Sequence, residues 1–105
     1  MADFETLVDH KGQNIRLTHE RWNHILDHPE MEGERSRIEE TLSNPEIIIA
    51  TVQDQSVHTY HRFYKTTPVT SKYMIVAVKI LDDDAFVVTA FYSNRMKKGG
   101  IVWQP

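Results

Sequence analysis

The stretch LTHERWNHILDHPEM, Leu17–Met31, carries three imidazoles, those of His19, His24 and His28. Imidazoles change charge near neutral pH, so such a cluster suits proton transfer or metal ligation. HERWNH approaches the zinc-hydrolase pattern H-E-x-x-H but is one residue too long. At about 100° per helical residue, His19 and His24 point roughly 140° apart, whereas two ligands of one zinc must share a face. His24 and His28 have the required spacing of four, but Ile25 occupies the place of that pattern's glutamate and Pro29 distorts the second histidine. The reading assigns no metal and no cofactor. On a helical wheel Glu20, His24 and Asp27 gather opposite Trp22, Ile25 and Leu26. Glu20 can meet His24 one turn on, and a carboxylate beside an imidazole is an arrangement used in general acid–base catalysis. The same pattern also describes a solvated helix face with a weak surface pair.

Two later stretches can handle anions. In VHTYHRFYK, strand alternation places His58, Tyr60, Arg62 and Tyr64 on one face and Val57, Thr59, His61 and Phe63 on the other. A guanidinium grips phosphate through paired hydrogen bonds, and phenols stack on bases or donate to oxygens. In TAFYSNRMKKGG, Thr89, Phe91 and Ser93 share a face, and Arg95, Lys97 and Lys98 follow on a glycine-ended loop. Such a cation cluster can steer a polyanion, although a solvated turn has the same composition.

The elements that must hold these groups are legible in outline. ETLVDHKGQNIRLT reads as a short hairpin with glycine at its turn. Thr18 is the expected N-cap of a first helix that ends or bends at His28 before Pro29. A second helix spans about Gly33 to Ser43, with Arg35, Ile38 and Leu42 on one stripe and Glu34, Arg37 and Glu40 on a wetter one. SNPE stops it. IIIATV, VHTYHRFYK, KYMIVAVKIL and AFVVTAFYS then read as strands, with DDD as a hairpin loop and IVWQP as a short final strand. The fold expected is α+β: two N-terminal helices packed on an antiparallel sheet of about four strands, preceded by a short hairpin.

The 105 residues fit a single domain, 1–105. The longest clean apolar run, MIVAV, is far short of the ~20 residues needed to cross a bilayer, so no membrane partner is expected. The acidic start MADFETLVD does not read as a signal peptide. The chain has no cysteine, which excludes disulfide and thiolate chemistry and suits a cytoplasmic location. Its net charge of −3 hides an asymmetry. Residues 1–57 hold 5 Lys/Arg against 12 Asp/Glu, or −7, while residues 58–105 hold 7 against 3, or +4. A basic half can attract phosphate.

Taken together, LTHERWNHILDHPEM, YHRFYK and YMIVAVKILDDDAFVVTAFYSNRMKKG resemble the phage- and bacteria-associated domains of the barnase–EndoU–colicin–RelE-like nuclease superfamily, over roughly Ile15 to Trp103. The resemblance implies helices ahead of an antiparallel sheet and a metal-independent, toxin-like endoribonuclease. In such an enzyme the RNA 2′-hydroxyl attacks the neighbouring phosphate. On that reading His24 or His28 is base or acid, Arg62 stabilises the phosphate, and Tyr64 or Tyr92 donates a proton or stacks. Thr89 orients, and Tyr60, Arg95, Lys97 and Lys98 bind RNA. His19 receives no role. RNA and a neutralising antitoxin or inhibitor protein are the implied partners. The rival is a non-catalytic RNA- or protein-binding module on the same fold.

Overall fold

Asp9 and Gly12 shape the first turn. The Asp9 carboxylate accepts hydrogen bonds from the Lys11 and Gln13 amides, both at 2.9 Å, and Gly12 adopts φ +82°, a conformation that favours glycine. This turn joins β1 (Phe4–Val8) to β2 (Asn14–Thr18) in an antiparallel hairpin. The computed structural model describes residues 3–105; Met1 and Ala2, which open the acidic N-terminal stretch, lie outside the described residues.

Thr18 caps α1 (His19–Ile25) as expected, its hydroxyl accepting from the Arg21 amide at 3.1 Å. The helix ends three residues before His28, and Pro29–Met31 form one 3-10 turn. Gly33, at φ +78°, redirects the chain into α2 (Arg35–Ser43). Five strands follow: β3 (Ile47–Thr51), β4 (Val57–Tyr64), β5 (Lys72–Ile80), β6 (Ala85–Ser93) and β7 (Gly99–Trp103).

The expected sheet of about four antiparallel strands is corrected: the strands form one seven-stranded mixed sheet ordered β1-β2-β6-β5-β4-β3-β7. The hairpin is part of that sheet, because β2 pairs in parallel with β6. That seam has a single register pair, Arg16 with Phe86. It is clamped by the Arg16 guanidinium on the Asp84 carboxylate, with Nε donating at 3.0 Å. At the other edge β7 pairs antiparallel with β3. The helices follow the hairpin as expected, between β2 and β3, but at seven and nine residues they cover only part of one face. Short strands show their periodicity locally, whereas pairing between distant edges leaves no local trace.

Both helices pack on the same face. Ile25, Ile38 and Leu42 join Leu17, Met74, Val76, Val78, Val87 and Ala90 in one core. Tyr60 belongs to this core at 2% exposure, its hydroxyl donating to Asp9 Oδ2 at 2.8 Å. It was expected on a polar, RNA-facing surface; the carboxylate arriving from the distant hairpin lets a phenol sit inside. This tie also bends the sheet, so that His10 at the hairpin turn meets Trp103 of β7, ring centroids 4.4 Å apart.

The opposite face is closed by the chain itself. From β6 to β7 the backbone must cross four strand spacings, about 19 Å on a flat sheet. The six steps from Ser93 to Gly99 reach about 20 Å when extended, so they lie across the sheet as a strap. Beneath it His61 is fully buried, and its Nε2 accepts from the Lys97 amide at 3.0 Å. Nε2 is therefore unprotonated.

Two stability predictions follow from these contacts. Asp9→Ala leaves a buried phenol unpaired and should cost roughly 2–4 kcal/mol in urea unfolding. With Tyr60→Phe the double variant should lose less than the sum of the singles by about 1 kcal/mol; strict additivity contradicts the tie. Burial holds the His61 and His58 imidazoles below their ordinary value of 6.5. The unfolded chain then takes up protons first, so stability is present above about pH 6.5 and declines as pH falls through the lower folded values. Asp54 and Asp84, held below 3.8 chiefly by hydrogen bonds from Lys79 and Arg16, weaken the fold only in stronger acid. His61→Gln, which keeps an acceptor for Lys97, should flatten the melting-temperature slope between pH 7.5 and 5; an unchanged slope refutes the assignment.

Candidate functional site

The far end of the helix-covered face is where the polar half of β4 emerges from the core. Arg62 pairs with Met74 and Met74 with Tyr92, so Arg62 and Tyr92 flank β5 in one row. Tyr64 stands two residues beyond Arg62 on the same face. Above them Glu34 at the N-cap of α2 and Arg37 and Glu40 within it, spaced three apart, form a stripe beside the buried residues Ile38, Thr41 and Leu42. In the sequence this stripe is distinguished from the apolar one by its charge. Its i, i+3, i+6 spacing was the available signal.

These side chains interlock. The Tyr92 hydroxyl donates to Glu34 Oε1, and Arg37 Nη1 reaches the same phenol oxygen at 3.3 Å and the Thr66 carbonyl at 2.7 Å. The Arg37 guanidinium stacks over the Tyr64 ring at 4.5 Å, and the Tyr64 hydroxyl donates to Glu40 Oε1. Arg62 Nη1 donates to the Asn44 carbonyl at 2.9 Å, and its Nε lies 3.5 Å from Glu40 Oε1. That Nε is buried without a hydrogen-bond partner. Two guanidiniums, two phenols and two carboxylates thus converge across α2, β4 and β6.

Their electrostatics divide the chemistry. Burial, then the hydrogen bond to Glu34, pushes the Tyr92 phenol up to about 12. Burial, then the bond to Glu40, raises Tyr64 as well. Both phenols keep their protons at working pH, so they donate and cannot act as bases. Glu34 and Glu40 are the acceptors in the cluster. The guanidiniums are permanent cations suited to phosphate oxygens.

The other expected site residues lie elsewhere. His24 is exposed on α1 with Asp27 as its neighbour, Nδ1 to Oδ2 3.8 Å, so Asp27 rather than Glu20 is its carboxylate partner. His28 is exposed at the cap of the 3-10 turn. Among the described residues neither imidazole hydrogen-bonds or ion-pairs with Arg62, Tyr64 or Tyr92. No three His, Asp or Glu side chains among them converge as a metal ion would need. Thr89 pairs with Ala77, and Ala77 with Thr59, which puts it on the opposite face beside the strap. Arg95, Lys97 and Lys98 are exposed on that strap. Tyr60 is enclosed in the core. A wider open cleft of about 500 Å³ lies at the β2–β6 seam among Arg16, His19, Arg21 and Phe86. Its most fixed cation, Arg16, is already held by Asp84.

Residues 2–104 match the family model of the phage-Barnase-EndoU-ColicinE5/D-RelE like nuclease 2 domain. No curated protein and no solved structure matches the chain.

Proposed function

The chain belongs to this nuclease family, and from that premise we propose that it is an endoribonuclease cleaving single-stranded RNA without a metal ion. The observation carrying the proposal is the Arg37–Arg62–Tyr64–Tyr92 cluster with its two carboxylates. Arg37 and Arg62 grip the scissile phosphate and balance the charge that builds on its oxygens. Glu40, beside Arg62, takes the proton of the RNA 2′-hydroxyl as the new 2′-O–P bond forms. Tyr92 hands its proton to the departing 5′-oxygen as the P–O5′ bond breaks, and the nearby Arg37 guanidinium stabilises the transient phenolate. Tyr64 orients Glu40 through its hydroxyl. The products are a 2′,3′-cyclic phosphate and a free 5′-hydroxyl.

Proton transfer thus passes from the expected imidazoles of His24 and His28 to Glu40 and Tyr92, because these touch the guanidiniums. Arg95, Lys97 and Lys98 draw RNA toward the molecule over longer range, an attraction that salt weakens. Thr89 stands apart from the chemistry on the opposite face. A host of such an enzyme needs a neutralising protein, whose acidic groups would suit the Arg37–Arg62 end.

One observation favours a second reading, a non-catalytic RNA-binding module: the carboxylates already neutralise the phenols and guanidiniums from within. The two readings part in one experiment. The catalytic reading expects RNA cleavage in EDTA and a cyclic-phosphate terminus by mass spectrometry. Arg37→Ala, Arg62→Ala and Glu40→Gln should each lower the rate about a hundredfold or more, while His24→Ala and His28→Ala leave it within a few-fold. Full activity in both arginine variants removes the site. RNA retardation with a steep salt dependence and no product supports the binding module.

A further inference from the structure

Where the hairpin turn folds onto β7, the sheet's two edges enclose a small cavity of about 140 Å³. His10 and Gln13 come from the turn, Ile48 from β3, His58 and Tyr60 from β4, and Trp103 from β7. The cavity lies on the same face of β4 as Arg62, since His58 and Arg62 are four residues apart on one strand, about 13 Å. Tyr60, buried in the core, lies between them on that strand.

From this enclosure we infer that the cavity is a base subsite that admits a single pyrimidine ring of the RNA. The inference rests on the nuclease reading for its substrate class and goes beyond it in base specificity. Size is the first argument. A cavity of about 150 Å³ accommodates one benzene; this half-open one has room for one six-membered ring, and the second ring of a purine would have to stay outside it. Lining is the second. Tyr60 is locked in place by Asp9, and His10 packs against Trp103 at 4.4 Å and edge-on to Tyr60 at 6.3 Å. Aromatic walls of this kind hold a base by stacking. Polarity is the third. Gln13 contributes an amide, with both donor and acceptor, and His58 an imidazole. Burial holds that imidazole neutral at working pH, so it too presents one donor and one acceptor. A pyrimidine edge carries alternating donors and acceptors, whereas an aliphatic ligand would leave these groups unpaired.

The test uses the full chain and the four ribonucleoside 3′-monophosphates, which bind without being cleaved. Uridine and cytidine 3′-monophosphates should shift the Trp103 indole N–H and the His58 ring signals by NMR. Adenosine and guanosine 3′-monophosphates should leave them unmoved at tenfold higher concentration. His58→Ala should weaken the pyrimidine effect at least tenfold. Gln13→Ala, on an exposed turn, should weaken it several-fold and guards against a folding defect in the first variant. Purines that bind as well as pyrimidines overturn the subsite, as does pyrimidine binding indifferent to both substitutions. Cleavage of RNA with no preference for pyrimidines, and no nucleotide effect on Trp103, sinks the subsite while the nuclease stands. Pyrimidine binding without any cleavage supports the subsite and sinks the catalytic reading.

Discussion

One buried carboxylate organises the molecule. Asp9 is almost wholly excluded from water, and its two oxygens accept from two turn amides and from the Tyr60 hydroxyl. An unpaired charge at that depth is costly, so the carboxylate is tolerable only with these donors in place. Satisfying it pins the tip of an edge hairpin to the centre of the fourth strand. A sheet with one edge strand tethered to its middle must curl, which brings His10 to Trp103 and walls the cavity between them. The turn, the curvature and the enclosed space share one electrostatic cause.

The guanidinium–phenol cluster faces a different constraint. It assembles three elements that are distant in sequence, and each cation there already has a carboxylate nearby. A phosphate approaching Arg62 competes with Glu40 for the guanidinium. That competition favours ligands able to engage both arginines together, since a bidentate anion regains what a single contact would lose. On the proposed mechanism it also leaves Glu40 displaced from its cation at the moment a proton acceptor is needed. Internal neutralisation and catalysis are therefore compatible.

Signals that act over a few residues are legible in the sequence. Glycine at the first turn, threonine before the first helix and proline after it each act within a few residues, and they mark the elements correctly. Alternation along β4 put Arg62 and Tyr64 on one face. What alternation lacks is depth: Tyr60 shares that face but lies under α2 and the hairpin, where only a contact 51 positions away makes it at home. The parallel join of β2 to β6 depends on one register pair and one ion pair, too little to mark either strand. The imidazole-rich helix stands out by composition, whereas the i, i+3, i+6 spacing of Glu34, Arg37 and Glu40 sets them in one stripe that the fold brings to Arg62, Tyr64 and Tyr92. Histidine abundance is a statement about one segment; convergence is a property of the fold.

The strap over the opposite face has a consequence for the seating of the final strand. The final strand reaches its place on β3 by a path over β5, β4 and β3, so its seat spans strands that pair among themselves. Gly99 stands at that landing point, where a methyl group would collide with the Ala50 carbonyl, and the close approach leaves room for the backbone alone. The seat of β7 is therefore complete only when the strands beneath the strap are paired.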